Sequence, residues 1–247
     1  MKKSTASLIT ALIPSKKLRK KLRERLISGK LRVAPGNVVE LAVRSVNNIG
    51  IYGRGNRLVV KTKERPLRLD VSIVGNGNEI VIEEGFRAES LCRIVVGTDP
   101  NPCNNAKIHI GRNAHVNDVY FLAMEDDSVI EVGEDCLFSW GVYVWATDSH
   151  AIFETSEALP CEANAENVRN CGKFVKIGNH VWLGMDVKIG KNTEIGDGCI
   201  VGWSSVVTGV FPEKNCVIAG VPAKIIKRDR SWHYCSANMF LRGKDLT

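Results

Sequence analysis

Nowhere in the 247 residues do 18 apolar residues run without interruption, so no membrane-spanning helix is expected. Paired cysteine motifs are missing too. The eight cysteines (92, 103, 136, 161, 171, 199, 216 and 235) form no Cys-x-x-Cys and no Cys/His ligand spacing. They read as reduced thiols, with neither a disulfide framework nor zinc. Acidic residues are almost absent from the start of the chain. Residues 1–32 hold eleven Lys/Arg against Glu24 alone, a charge of +10 in a chain whose total is +7, so the remaining 215 residues sum to −3. The basic character belongs to the N-terminus. No recognition motif follows it and nothing downstream continues the positive surface, so a nucleic-acid partner is not expected.

The opening MKKSTASLITALIPSKK has a superficial likeness to a signal peptide, but Thr10 and Pro14 break its apolar run and dense positive charge follows. Cytoplasmic residence is the expectation. Leu18, Leu22 and Leu26 lie four apart among lysines and arginines, the pattern of a basic amphipathic helix. Such a segment either lies on an anionic membrane surface or packs its leucine stripe on protein. Residues 1–35 are therefore set apart from the body.

What the chain has in abundance is a six-residue period. From Ile177 to Thr208 it reads IGNHVW, LGMDVK, IGKNTE, IGDGCI, VGWSSV, VT. An aliphatic residue opens each block (Ile177, Leu183, Ile189, Ile195, Val201, Val207), and glycine follows five of the six. Two positions before the later openers stand Val181, Val187, Thr193, Cys199 and Ser205. A period of six suits neither an amphipathic helix nor an alternating strand. It suits a parallel β-helix, in which short strands stack coil on coil around a column of aliphatic side chains.

The lines IVIEEGFRA, KIHIGRNAHV and VIEVGEDCLF are imperfect versions of the same unit, and Gly53, Gly55, Gly75 and Gly77 mark tight turns before them. The architecture is thus expected over 36–228, with irregular early coils and Thr98–Asn105 as a bulging insertion. After Trp145-Ala-Thr-Asp-Ser-His150 the period is lost over 151–174, an excursion that reads as a functional loop. Residues 229–247 are expected to cap the open end of the stack, with a short helix.

Four features together resemble one family, the hexapeptide-repeat acyltransferases: the repeat, the line Val181-Trp182-Leu183-Gly184, the Asp148-Ser149-His150 loop, and Ala219-Gly220-Val221-Pro222-Ala223-Lys224. The likeness is to sugar O-acetyltransferases of the galactoside/maltose type and of capsule and lipopolysaccharide synthesis. It is dense over 120–228 and absent at both tails. It implies an all-β, left-handed parallel β-helix, a homotrimer with sites between subunits, and acetyl-CoA as co-substrate without a metal. The acceptor implied is a sugar or polysaccharide precursor.

Transfer from a thioester to a hydroxyl needs a base that works near neutral pH, which suits histidine. His109 and His115 lie in an early repeat line, His180 in a turn expected to face solvent, and His233 in the tail. His150 opens the non-repeating loop and matches the family's catalytic histidine. Asp148 either fixes its tautomer, holds an acceptor hydroxyl, or is a turn aspartate bonded to its own backbone. The family's pattern gives Asp127 as an acceptor contact, with a solvated turn as the alternative. It also brings Gly184, Met185, Gly202, Trp203 and Thr208 to the acyl-CoA arm, and Lys224 and Lys227 to its phosphate end. A backbone N–H near Gly184 or Met185 is expected to hold the oxyanion. The chain departs from the family pattern at Trp203-Ser204, where two small residues are usual, and at Gly209, where lysine is common. An aminosugar N-acetyltransferase and a non-catalytic scaffold are the rival readings. A zinc-binding carbonic anhydrase on the same fold is disfavoured because Thr155 stands where its third histidine is required.

Overall fold

The computed structural model describes residues 31–42, 48–154 and 173–242. The basic segment 1–30 and most of the 151–174 excursion lie outside them. The described chain is a stack of parallel coils with three sides. The first side is an eight-stranded parallel sheet running from Val38–Leu41 to Val210–Phe211. The other two sides belong to one 13-stranded sheet that bends round an edge of the stack. The strand His115–Ala123 makes the bend visible: His115 and Val116 pair with Leu137 and Phe138 on the second side, while Val119 to Leu122 pair with Val142 to Trp145 on the third.

Coil length changes along the stack. On the first side, Lys107 pairs with Val129, 22 positions on, and Val129 then pairs with Phe174 across the excursion. Below it, Val175 pairs with Thr193 only 18 positions on, which is three hexapeptides. Wide coils therefore sit on narrow ones. Sequence periodicity shows only the narrow coils, because the extra residues of the wide ones scramble the six-residue count.

Every block opener from Ile177 to Val207 is buried, as are Val181, Val187, Thr193, Cys199 and Ser205. The openers form the aliphatic core, and the smaller residues fill the corners. Three positions after an opener the backbone enters the left-handed region, at His180, Asp186, Asn192, Gly198 and Ser204. That conformation costs a β-branched side chain heavily, and it is held here by glycine, Asn, Asp, His and Ser. The early lines are repeats as well: Ile80, Ile108 and Ile130 stack in register, as do Ile82, Ile110 and Val132. Gly53, Gly55, Gly75 and Gly77 all have positive φ. Inside these coils Asn56 and Asn78 are buried and bonded to one another, with Asn78 Oδ1 accepting from Ala106 N–H, so the polar corners are satisfied.

At the far end Val217–Gly220 completes a coil and Ala223–Lys227 turns back antiparallel upon it. The tail then runs along the flank of the stack: Arg230 N–H bonds Asn215 O, Trp232 stacks on His180, and Tyr234 reaches Cys136 O. A five-residue helix, Ala237–Leu241, ends the described chain.

Leu183 is fully buried between Phe138 and Val201 in neighbouring coils. Leu183→Ala should cost about 2–5 kcal/mol in chemical denaturation. On the outer surface of the first side, the hydrogen bond from Lys61 holds the Glu83 carboxyl below its usual range. That stabilisation is present above about pH 4.5 and is lost as pH falls through the lowered folded value. Lys61→Met should thus be less stable than wild type at pH 7, with the difference closing in acid, as urea melts at both pH values would show.

Candidate functional site

The wide-to-narrow step falls at His150. On the third side the strand Val142–Trp145 lies directly over Lys188–Ile189, with Tyr143 opposite Lys188 and Val144 opposite Ile189. The upper coil continues past Trp145 through Ala146 to the corner Thr147-Asp148-Ser149-His150. The lower coil turns at once, at Gly190-Lys191-Asn192. The overhang and the missing side chain at Gly190 leave a cavity of about 450 Å³, lined by Tyr143, Trp145, Thr147, Asp148, Lys188 and Gly190 among others.

The corner that carries His150 is tied to the coil above. Thr147 is buried, and its hydroxyl donates to Glu125 Oε1 at 2.6 Å while accepting from Ser149 N–H at 2.8 Å. Ser149 is left-handed, with φ 65°, which throws His150 outward into an exposed position. Asp148 forms an ion pair with Lys191 Nζ at 2.8 Å, and the lysine side chain is only 13% exposed. The pair links the last wide coil to the first narrow one. Asp127 lies one coil above His150, at the corner where the third side turns into the first. It has φ 62°, accepts from Asn105 Nδ2 and pairs with Lys173 at 3.6 Å.

The residues expected around acyl-CoA fall into separate columns. Gly184, Met185, Gly202 and Trp203 occupy the opposite edge of the third side, stacked below Trp140 and above Val221. Three of that column's side chains are unusually open for their size: Trp140 at 52%, Trp203 at 70% and Val221 at 70%. Together they make an apolar ridge. Gly184 allows Trp203 in, since a Cβ there would lie 2.7 Å from Trp203 Cδ1. Gly184 N–H already donates to Val201 O, and Met185 O accepts from Ser204 N–H, so of the two expected oxyanion donors Met185 N–H is the one outside that ladder. Thr208 stands apart from this group, exposed at the His150 edge beneath Gly190, 3.0 Å from where a Cβ of that glycine would be. Lys224 and Lys227 are exposed on the final antiparallel strand.

Among the other histidines, His180 is not in open solvent as its turn suggested. Trp232 stacks on it at 4.2 Å, and its Nδ1 lies 2.6 Å from Asp135 Oδ2. Burial lowers the pKa of His115. Among the described residues no group of three or more His, Cys, Asp or Glu is placed to hold a metal ion. Buried cysteines such as Cys92 and Cys136 have their thiols pushed up by desolvation, Cys136 to about 12, so they are poor nucleophiles.

Sequence reasoning missed Glu125, Thr147 and Lys191. Glu125 and Thr147 are 22 positions apart, a spacing that means contact only once the wide coil is known. Lys191 sits in a turn of the strict repeat, where nothing distinguishes it from a solvated lysine.

Residues 174–209 match the family model described as "Bacterial transferase hexapeptide (six repeats)". The match falls on the strict six-residue repeat. The coil is a left-handed parallel β-helix. Over 123 residues the chain is 39% identical to WbbJ of Escherichia coli K12, assigned as a lipopolysaccharide biosynthesis O-acetyl transferase, a match covering 49% of this chain and 60% of that protein. Over 135 residues it is 33% identical to the galactoside O-acetyltransferase of the same organism, covering 52% and 59%. It thus spans about 60% of the length of these two curated relatives. Among solved structures, the polySia-specific acetyltransferase NeuO superposes with a TM-score of 0.70 at 27% identity, covering 85% of this chain and 91% of that one. The polysialic acid O-acetyltransferase OatWY superposes at 0.62 and 25% identity, covering 84% and 93%.

Thr147→Val removes the hydroxyl that donates to Glu125 Oε1 and holds the Ser149 amide. It should cost about 1–3 kcal/mol in urea unfolding, whereas Thr147→Ser, which keeps the hydroxyl, should cost about half as much or less.

Proposed function

We propose that the chain is an acetyl-CoA-dependent O-acetyltransferase whose acceptor is a sugar hydroxyl of a surface polysaccharide or lipopolysaccharide precursor. The observation that carries this reading is the join between two findings. The fold superposes along its length on two polysialic acid acetyltransferases, and His150 is the histidine presented outward at the step beside the cavity.

In this reading His150 takes the proton from the acceptor hydroxyl as that oxygen attacks the thioester carbonyl. Electron density moves onto the carbonyl oxygen, where the Met185 N–H of the opposite column stabilises it. Collapse expels the CoA thiolate, which takes the proton from the imidazolium. The Asp148–Lys191 pair and the Glu125–Thr147 bond hold the base in place. Lys224 and Lys227 meet the phosphate end of the co-substrate, with Gly202 and Trp203 along its arm.

The His150 and Met185 corners lie at opposite edges of one side, roughly 15–20 Å apart by strand rise. A single chain therefore does not bring its own base to its own Met185 N–H. A homotrimer with parallel axes sets the His150 edge of one subunit against the apolar ridge of the next, which also covers Trp140 and Trp203. The basic segment 1–30 is read as a contact with the anionic inner face of the cytoplasmic membrane, where lipid-linked precursors are found.

His150→Ala should lower acetyl transfer by about 10²–10⁴-fold with acetyl-CoA binding retained. Met185→Pro removes one N–H at a turn position that accepts proline, and should lower kcat similarly. Co-expressing the two inactive variants should restore part of the activity, because a mixed trimer contains sites with both groups intact. Failure of wild type to acetylate any sugar of a broad panel, read by mass, would sink the assignment. Loss of residues 1–30 should abolish binding to anionic vesicles and leave transfer to a soluble acceptor intact.

A further inference from the structure

One outward column on the third side is in register from coil to coil: Arg93 opposite Tyr120, Tyr120 opposite Tyr143, Tyr143 opposite Lys188. The side chains form a continuous stack. The Arg93 guanidinium lies 5.8 Å from the Tyr120 ring centre, the two tyrosine rings are 6.1 Å apart, and Lys188 Nζ is 5.6 Å from the ring of Tyr143. Trp145 joins it edge-on, 5.8 Å from Tyr120 and 5.7 Å from Tyr143. In the coil below Trp145 the matching position is Gly190, so the column under the indole is empty and becomes the cavity. A second, smaller hollow of about 90 Å³ lies on the other side of Tyr143, with Arg93, Asp118 and Tyr120 in its lining. Tyr143 is shared by both.

We infer that this aromatic wall is the acceptor-sugar subsite: one pyranose ring packs in the cavity against Trp145 and Tyr143, and the next unit of the glycan crosses Tyr143 toward Arg93 and Asp118. The inference deepens the proposed function and rests on it only for the chemistry, not for the binding. A pyranose has one face of C–H bonds, slightly positive, which match the negative face of an aromatic ring. Its rim of hydroxyls needs a few fixed polar groups, and Asp148 and Lys188 stand at the cavity's ends. A ring seated there lies beside the corner that ends in His150. The spacing of the two hollows, one coil apart or roughly 5 Å, suits consecutive units of a glycan better than an isolated monosaccharide.

The test separates binding from catalysis. Saturation-transfer NMR on the full-length protein would use methyl β-galactoside, methyl α-glucoside and N-acetylglucosamine, with their β-linked disaccharides. Expected is transfer to the ring C–H protons of at least one glycoside, stronger for its disaccharide, retained in His150→Ala and lost in Gly190→Leu. Gly190 has no positive φ, and a Cβ added there lies 3.0 Å from the methyl of the exposed Thr208 and 3.8 Å from Val207 O, so the variant fills the cavity once Thr208 gives by a few tenths of an ångström. In steady-state kinetics Trp145→Ala and Gly190→Leu should raise the acceptor KM about tenfold or more with the acetyl-CoA KM unchanged. Arg93→Ala should remove the disaccharide advantage alone. Absence of saturation transfer from every glycoside would overturn the subsite, as would a Gly190→Leu protein that binds them normally. A rise in the acetyl-CoA KM instead would show that the pantetheine arm occupies the cavity. An active His150→Ala enzyme with sugar binding intact would refute the proposed mechanism and leave the subsite standing.

Discussion

The rest of the structure depends on the parallel backbone ladder. Each coil must place its N–H and C=O groups opposite those of the coils above and below, as Gly184 N–H does with Val201 O and Gly202 N–H with Ile218 O. Buried peptide groups cannot go unpaired, so the ladder allows no drift in register. Every side chain is thereby assigned to a column, inward or outward, along the whole stack. The core is one such column, the left-handed turn residues another, and the Arg93–Tyr120–Tyr143–Lys188 stack a third. Function in this molecule is a matter of which columns meet.

They meet where the ladder is forced to absorb a change of circumference. Coils of about 22 residues rest on coils of 18, and the surplus is thrown out at one corner of the third side. The overhang creates the cavity, exposes His150 and demands reinforcement. Glu125, Thr147, Asp148 and Lys191 supply it, tying the upper coil to its neighbours on either side. A carboxylate–hydroxyl bond and an ion pair on a mostly covered lysine are worth more here than on open surface, because the groups they join have little water to turn to. The same corner that is structurally irregular is therefore also tied down, which suits the role proposed for His150.

The opposite edge is organised differently. Trp140, Trp203 and Val221 form a ridge that a lone chain leaves in water, at odds with the careful burial elsewhere. A patch of this kind is what the proposed trimer would cover. In the proposed trimer a second subunit laid against the first would also bring its His150 toward Met185.

The strict period from Ile177 to Val207 was enough to specify stacked parallel coils, because the inward positions of such a coil recur every six residues whatever surrounds them. Its openers and corner residues are buried as the spacing requires. His150 and Asp148 stood out because the period fails after them. Handedness was not in the period: a right-handed and a left-handed coil bury the same positions, and the usual chirality of parallel crossovers favours the other hand. Nor was Thr208's separation from Gly184, since residues six apart in the repeat look alike but lie on different edges. The 22-residue contact between Glu125 and Thr147, the covering of His180 by Trp232 and the aromatic column all join residues that are remote in sequence. Only the coil length, set by how many residues each side must hold, decides which of them become neighbours.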